Sequence, residues 1–500
     1  MSRLSSIRLH PRKMLVFAGL LGGALMPLTT QGQESPAHVL RAGASTSNIT
    51  PWLDISINGN MTDVKAGYIH DELNVRCLVL DDGHKKVAIA VCDACTVPLS
   101  IVDAAKARIA ETTGIAADHV LISATHTHSS GCLASGFQSD PDPAYQKFVT
   151  TRIVDGVRRA VQQLEPARVG WGVGKEPDQV FNRRWFLKPG TVPADPFGKT
   201  TDRVQMNPGA GNPNLVEPAG PVDPDVTVLF AETPFDRPIG MLANYALHYV
   251  GGVGGGHVSA DYFGAFAGEV KKLMDADRAN PPFVAMMSNG ASGDINNINV
   301  RTPQPALEPY AKIRLVATEL AVDAAEVEAG ILPRTDVSLD ARSMVLQLKV
   351  RKPSPTELED AKKVVDAAGG VKAEMKTMPQ IYARETVLLA DYPDTVPVTI
   401  QALRVGELGI IAIPCEVFVE IGMEIKQKSP LQTTMLIELA NGYNGYLPTR
   451  KHHELGGYET WRARSSYLEV GAAEAIVSAS LELLTEVARS KPAAVPATAK

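Results

Sequence analysis

Six apolar, β-rich runs in this chain each end in a loop that carries polar or ionisable side chains. The run VRCLVLDDGHKKVAIAVCDAC reads as a hairpin turning at Asp82-Gly83, with its second strand ending at Asp93. HVLISATHTH is a strand that stops at His126 and His128, and VTVLFAETPFDRPIGMLANYALHYV is a second hairpin stopping at His248. FVAMMSNGASGDINNIN ends in Asn289, Asp294 and Asn296. VTIQALRVGELGIIAIPCE turns at Gly406 to Gly409 and ends at Glu416, and TMLIELANGYNGYLP ends at Asn441, Tyr443 and Tyr446. Amphipathic segments of helical period lie between the runs, among them IVDAAKARIAETTG, FGAFAGEVKKLMDA and the last, YLEVGAAEAIVSASLELLTEVAR. Strands interleaved with helices predict an α/β fold with mixed β-sheets and flanking helices. In such sheets ligands gather where strands end and loops converge, so the polar strand ends predict a catalytic rim. No internal repeat is legible.

The 500 residues suffice for one large domain or two, and a net charge of -6 gives no argument for binding nucleic acid. At the N-terminus Arg3, Arg8, Arg12 and Lys13 precede the short apolar run MLVFAGLLGGALMPLTT, and small polar residues follow. Residues 1–32 therefore read as a signal peptide, which predicts a secreted or periplasmic protein. No later stretch is apolar enough for a transmembrane span. Residues 38–488 read as a single domain and 489–500 as a disordered tail. Within the domain, residues 186–224 are rich in Pro, Gly and Asp and predict a loop or lid, and residues 355–380 a helical insertion. The five cysteines, Cys77, Cys92, Cys95, Cys132 and Cys415, are too sparse and odd in number for a disulfide scaffold. Cys92 and Cys95 form a CxxC without a second one, so either a local disulfide or two buried thiols fits.

His126 and His128 stand two apart, so on a strand they share a face and can enter one site. Thr125, Thr127, Ser129 and Ser130 offer hydroxyls around them. A catalytic zinc takes three protein ligands and keeps a position for water, and His248 and Glu416 lie at comparable strand ends. Each also has a plain structural alternative. The histidine pair can cap a strand, His248 can be a satisfied core residue, and Glu416 can open a helix.

Taken in order, AGASTSNITPW, GYIHDELNVRCLVLDDG, ISATHTHSSG, NRRW, ALHYVGG, VSADYFG, NGASGDINNIN, IPCEVF and NGYNGYLPTRKHHELGGYE resemble the neutral (alkaline, non-lysosomal) ceramidase family, amidases that cleave N-acyl sphingosine. The likeness runs from about residue 40 to 485, and ATHTHS and the closing NGYNGY…YE are its most specific pieces. It implies one Zn2+ per chain held by His126, His248, Glu416 and Tyr446. It further implies a catalytic or substrate-contacting His128, and Arg183 and Tyr458 beside the scissile amide. Where the family's GDVSPN motif carries its nucleophilic serine, this chain has Asn296, and an amide cannot act as that nucleophile. It can donate a hydrogen bond to an oxyanion. The expectation is a zinc-dependent hydrolase of an N-acyl amide using metal-activated water, without the immunoglobulin-like domain the family adds. An ester or glycoside of a lipid or glycan is the rival substrate, and a binding protein without turnover the rival function.

Overall fold

The computed structural model describes residues 39–303, 305 and 307–490. The signal-peptide reading of residues 1–32 lies outside the described residues, as do residues 491–500 of the tail. Among the described residues no helix is long and apolar enough to cross a membrane.

The α/β expectation holds, and the chain proves to be built from one plan used three times. In the first unit, strands Arg41–Asn48, Asn74–Asp81 and Lys86–Cys92 run antiparallel. Helix Leu99–Thr113 then crosses over to Val120–Ala124, which lies parallel to Lys86–Cys92, and helix Pro143–Gln162 follows. The second unit repeats this with strands Arg168–Lys175, Asp225–Glu232 and Pro238–Tyr245, helix Asp261–Leu273, parallel strand Val284–Asn289 and helix Ala311–Gly330. The third has Leu339–Lys349, Thr395–Val405, Leu408–Ala412, helix Val419–Lys428, parallel strand Thr433–Ile437 and helix Ala472–Arg489. In every unit the second helix packs over the first two strands and touches the crossover helix. The sequence hid this repeat because hydrogen-bond topology is repeated and side-chain identity is not.

The period-2 alternation of strand side chains explains the layering. In Asn74–Asp81, Val75, Cys77 and Val79 point outward to the helices, while Leu78 and Leu80 point inward. The inward residues of all three sheets, among them Leu80, Leu242, Met286, Leu403, Ile410 and Ile437, form one shared core. Each outer face has its own core against its helix pair. Close packing leaves little slack: a Cβ on Gly43 would sit 2.2 Å from the Ala160 carbonyl oxygen of the covering helix.

All three units carry their long excursion between the first and second strands. The loop or lid expected at 186–224 is the second unit's excursion, and it includes a small sheet of Arg184–Leu187, Val204–Met206 and Leu215–Pro218. The helical insertion is the third unit's, with helices Pro355–Ala367 and Met378–Ala390. All five cysteines are buried free thiols, which decides between the two readings of Cys92 and Cys95.

Candidate metal centre

The parallel strand pair of each unit ends at the same place, and the three ends are stitched together. Ala124 N–H donates to Leu439 O (3.1 Å), Glu438 N–H to Asn289 O (3.1 Å), and Asn289 Nδ2 to Thr125 O (3.0 Å). Cys95, His248 and Cys415 are structural equivalents, each three residues past the strand ends Cys92, Tyr245 and Ala412. Glu416 is one residue further. His126 follows the parallel strand of the first unit and adopts a left-handed φ of 67°, uncommon for a side chain of this kind.

This convergence brings His126, His248 and Glu416 together, all buried, with ligand atoms within 4.8 Å of one another. His126 Nε2 lies 3.3 Å and His248 Nε2 3.7 Å from Glu416 Oε2. The other ring nitrogens are occupied: His126 Nδ1 donates to Cys95 O (2.8 Å) and His248 Nδ1 to Ser292 O (3.1 Å). Such donation turns Nε2 of each ring towards Glu416 as the atom available to a metal. Glu416 Oε1 accepts from the Tyr443 hydroxyl at 2.8 Å, whereas Oε2 is buried with no hydrogen-bond partner. A buried carboxylate oxygen that faces two imidazole nitrogens without a hydrogen bond is costly unless positive charge sits among them, either a proton on His126 or a metal ion in its place. The donor set fits a zinc-type ion.

Without a metal, a proton on His126 supplies that charge. Burial works against the His126 imidazolium, yet Cys95 and Glu416 outweigh it and hold its pKa well above the usual value. Burial likewise disfavours the Glu416 carboxylate, but His126, Arg183 and the Tyr443 hydroxyl keep it below the ordinary range. The pocket thus favours positive charge at the His126 nitrogen and negative charge opposite.

His128 joins the cluster, its Nε2 3.1 Å from His126 Nε2, and Tyr249 stacks on its ring at 3.8 Å. Burial, then His126 and Arg183, push its pKa well below the usual value, so the imidazole is neutral. Gly59 seats it: at φ +95°, a Cβ there would meet His128 Cγ at 2.4 Å. Gly59→Ala is expected to displace His128 and lower turnover while zinc content, read by elemental analysis, stays at the wild-type level.

Tyr446 and Tyr458 line the same cleft, their rings 5.8 Å apart and edge to face. Arg183 stands outside the lining. It donates to Glu459 (2.8 Å), Gly293 O (2.7 Å) and the Tyr446 oxygen (3.1 Å). Asn296 is also outside the lining: Nδ2 donates to Asn207 Oδ1 (2.6 Å), and its Oδ1 accepts from Ile298 N–H (3.0 Å).

Residues that sequence reasoning missed support this set from behind. Tyr443, named only as a strand-end residue, holds Glu416. Glu459 lies between Arg183 and Arg184. Glu438 accepts from Ser292 and from Val417 N–H (2.6 Å). Its one sequence signal is a lone acid inside the apolar run TMLIELA. Burial pushes Glu438 up to about 8 against those hydrogen bonds, and Glu416 pushes the same way. A folded pKa above the unfolded one means stability present below about 4.5 and lost as pH rises through about 8. In chelator-treated protein, urea midpoints of the wild type should fall over that window, and those of Glu438→Gln should fall less.

No family model matches the sequence, and no curated protein does. The fold is that of the neutral ceramidases. Neutral ceramidase from Pseudomonas aeruginosa matches over 91% of this chain and 76% of that one, with a TM-score of 0.67 and 18% identity. A ceramidase complexed with C2 matches over the same shares, with a TM-score of 0.67 and 17% identity. The likeness is one of fold, on which this chain carries the cluster described above.

Proposed function

We propose that this chain is an exported zinc-dependent hydrolase acting on an N-acyl amide. The observation that carries the reading is the buried Glu416 Oε2, without a hydrogen-bond partner and faced by Nε2 of both His126 and His248. These three residues would hold the ion, with the Tyr446 oxygen as a candidate fourth ligand. Bound there, zinc supplies a Lewis acid and lowers the pKa of water towards neutrality.

The protein groups do the rest. His128, neutral and in the cleft, accepts a proton at Nε2 and returns it to the leaving amine. Arg183 fixes the Tyr446 oxygen, and Tyr458 contacts the substrate carbonyl from the cleft wall. Asn296 stands outside the cleft lining, where one Nδ2–H is taken by Asn207 and the other would be its means of holding an oxyanion.

Asn296, at the position of the family's serine, favours a second reading: a zinc protein that binds and does not turn over. A panel of acyl amides, esters and glycosides with zinc-loaded protein tests both. Amide hydrolysis abolished by chelator and restored by zinc is expected. Zinc-replete protein that cleaves nothing in the panel would contradict the hydrolase reading.

A further inference from the structure

The cleft in front of the cluster is lined unlike a channel for alkyl chains. Among the described residues its wall contains no valine, leucine, isoleucine or methionine. Its apolar surface comes from the rings of Phe137, Tyr443, Tyr446 and Tyr458, interleaved with Asn58, Thr96 and Ser465. Thr96 Oγ1 is buried there without a hydrogen-bond partner. The wall's cation, Arg464, is neutralised by Glu385 in a two-pronged pair, Nε to Oε2 at 2.8 Å and Nη2 to Oε1 at 2.7 Å. Away from the metal cluster, that leaves the wall without an unpaired lysine or arginine among the described residues. Aromatic faces alternating with hydroxyl and amide groups match uncharged, hydroxyl-rich rings, which present apolar C–H faces and polar edges.

A second cavity adjoins the first and shares Ala134, Ser135, Tyr443 and Arg464 with it. Beyond the shared residues it is lined by Tyr392 and Tyr467, edge to face at 5.3 Å, with Ser100, Gln146, two leucines and two prolines. Nothing in the scheme above uses this space.

We propose that the substrate is an uncharged, short-acyl N-acyl amino sugar of at least two rings. Its scissile amide lies at the metal cluster and its second ring in the Tyr392–Tyr467 cavity. This rests on reading the cluster as a hydrolytic site. Specificity then comes from fit along both cavities, since the wall offers alkyl chains only ring faces and polar atoms.

Calorimetry on zinc-loaded full-length protein tests it with N-acetylglucosamine, N,N′-diacetylchitobiose and N-acetylsphingosine, alongside assay of released acetate. The disaccharide should bind about tenfold more tightly than the monosaccharide, one aromatic platform's worth, and more tightly than the lipid. Tyr392→Ala should remove that advantage and leave monosaccharide binding unchanged. Ser100→Phe, at an exposed position in the first turn of helix Leu99–Thr113, should do the same by filling the cavity. Tighter binding of the lipid, equal binding of the two sugars, or no sugar binding would overturn the proposal. Sugar binding without acetate release would keep the ligand class and sink the hydrolase reading. Acetate release from the lipid alone would do the reverse.

Discussion

His126→Ala is expected to strip the protein of zinc and to lower amide hydrolysis by about a thousandfold or more. His126 is the hub of the cluster. One ring nitrogen is anchored on the Cys95 carbonyl, and the other faces Glu416 at 3.3 Å and His128 at 3.1 Å. Removing it takes away a ligand, leaves Glu416 without its principal counter-charge and frees the ring that His128 packs against. Loss of Lewis-acid stabilisation alone costs several kcal/mol in the transition state, and roughly 4 kcal/mol is a thousandfold in rate. Elemental analysis and steady-state rates on the same preparation read both effects. A variant that keeps zinc and full activity would remove His126 from the site. The left-handed backbone at His126 adds a control, because His126→Gly tolerates that φ and should lose metal without loss of fold.

Glu459→Ala should be the most destabilising single carboxylate deletion near the site, by about 3–5 kcal/mol. Glu459 is fully buried between two buried guanidiniums, 2.8 Å from Arg183 Nε and bonded to Arg184 Nη1. Its loss strands two cations in the protein interior, whereas losing an exposed partner does not. Glu359, paired with Lys363 on a helix surface at 3.0 Å, is the contrast, and Glu359→Ala should leave the urea midpoint essentially unchanged. Urea unfolding of both variants decides. Equal effects would mean that the Arg183–Glu459–Arg184 group does not hold the cleft's back wall. The variant should also loosen Tyr446, whose oxygen depends on Arg183.

The strand-end pattern made much of this site legible. His126, His128, His248 and Glu416 were each marked by an apolar run that stops, and all four meet. Arg183 was legible only through resemblance, and its guanidinium proves to hold Tyr446 from behind. Asn296 lies within its own short strand, Ile295–Asn296, and its amide turns to Asn207. What the sequence concealed is the threefold plan. Equivalent positions carry Cys95, His248 and Cys415, two cysteines and a histidine, too little shared identity to mark a repeat when only backbone pairing recurs. Glu438 and Glu459 escaped for a related reason. A buried acid is recognised by its partners, and those lie 146 and 276 residues away in Ser292 and Arg183.

Three units would together donate one metal site, with His126 from the first, His248 from the second and Glu416 from the third. Equilibrium zinc titration of the chelator-treated wild type, beside His248→Ala and Glu416→Ala, tests it most directly. The account predicts about one tightly bound zinc per wild-type chain, the usual occupancy of a three-ligand site, and none in either variant. Wild-type protein that binds no zinc, or variants that keep it with unchanged affinity, would contradict the account.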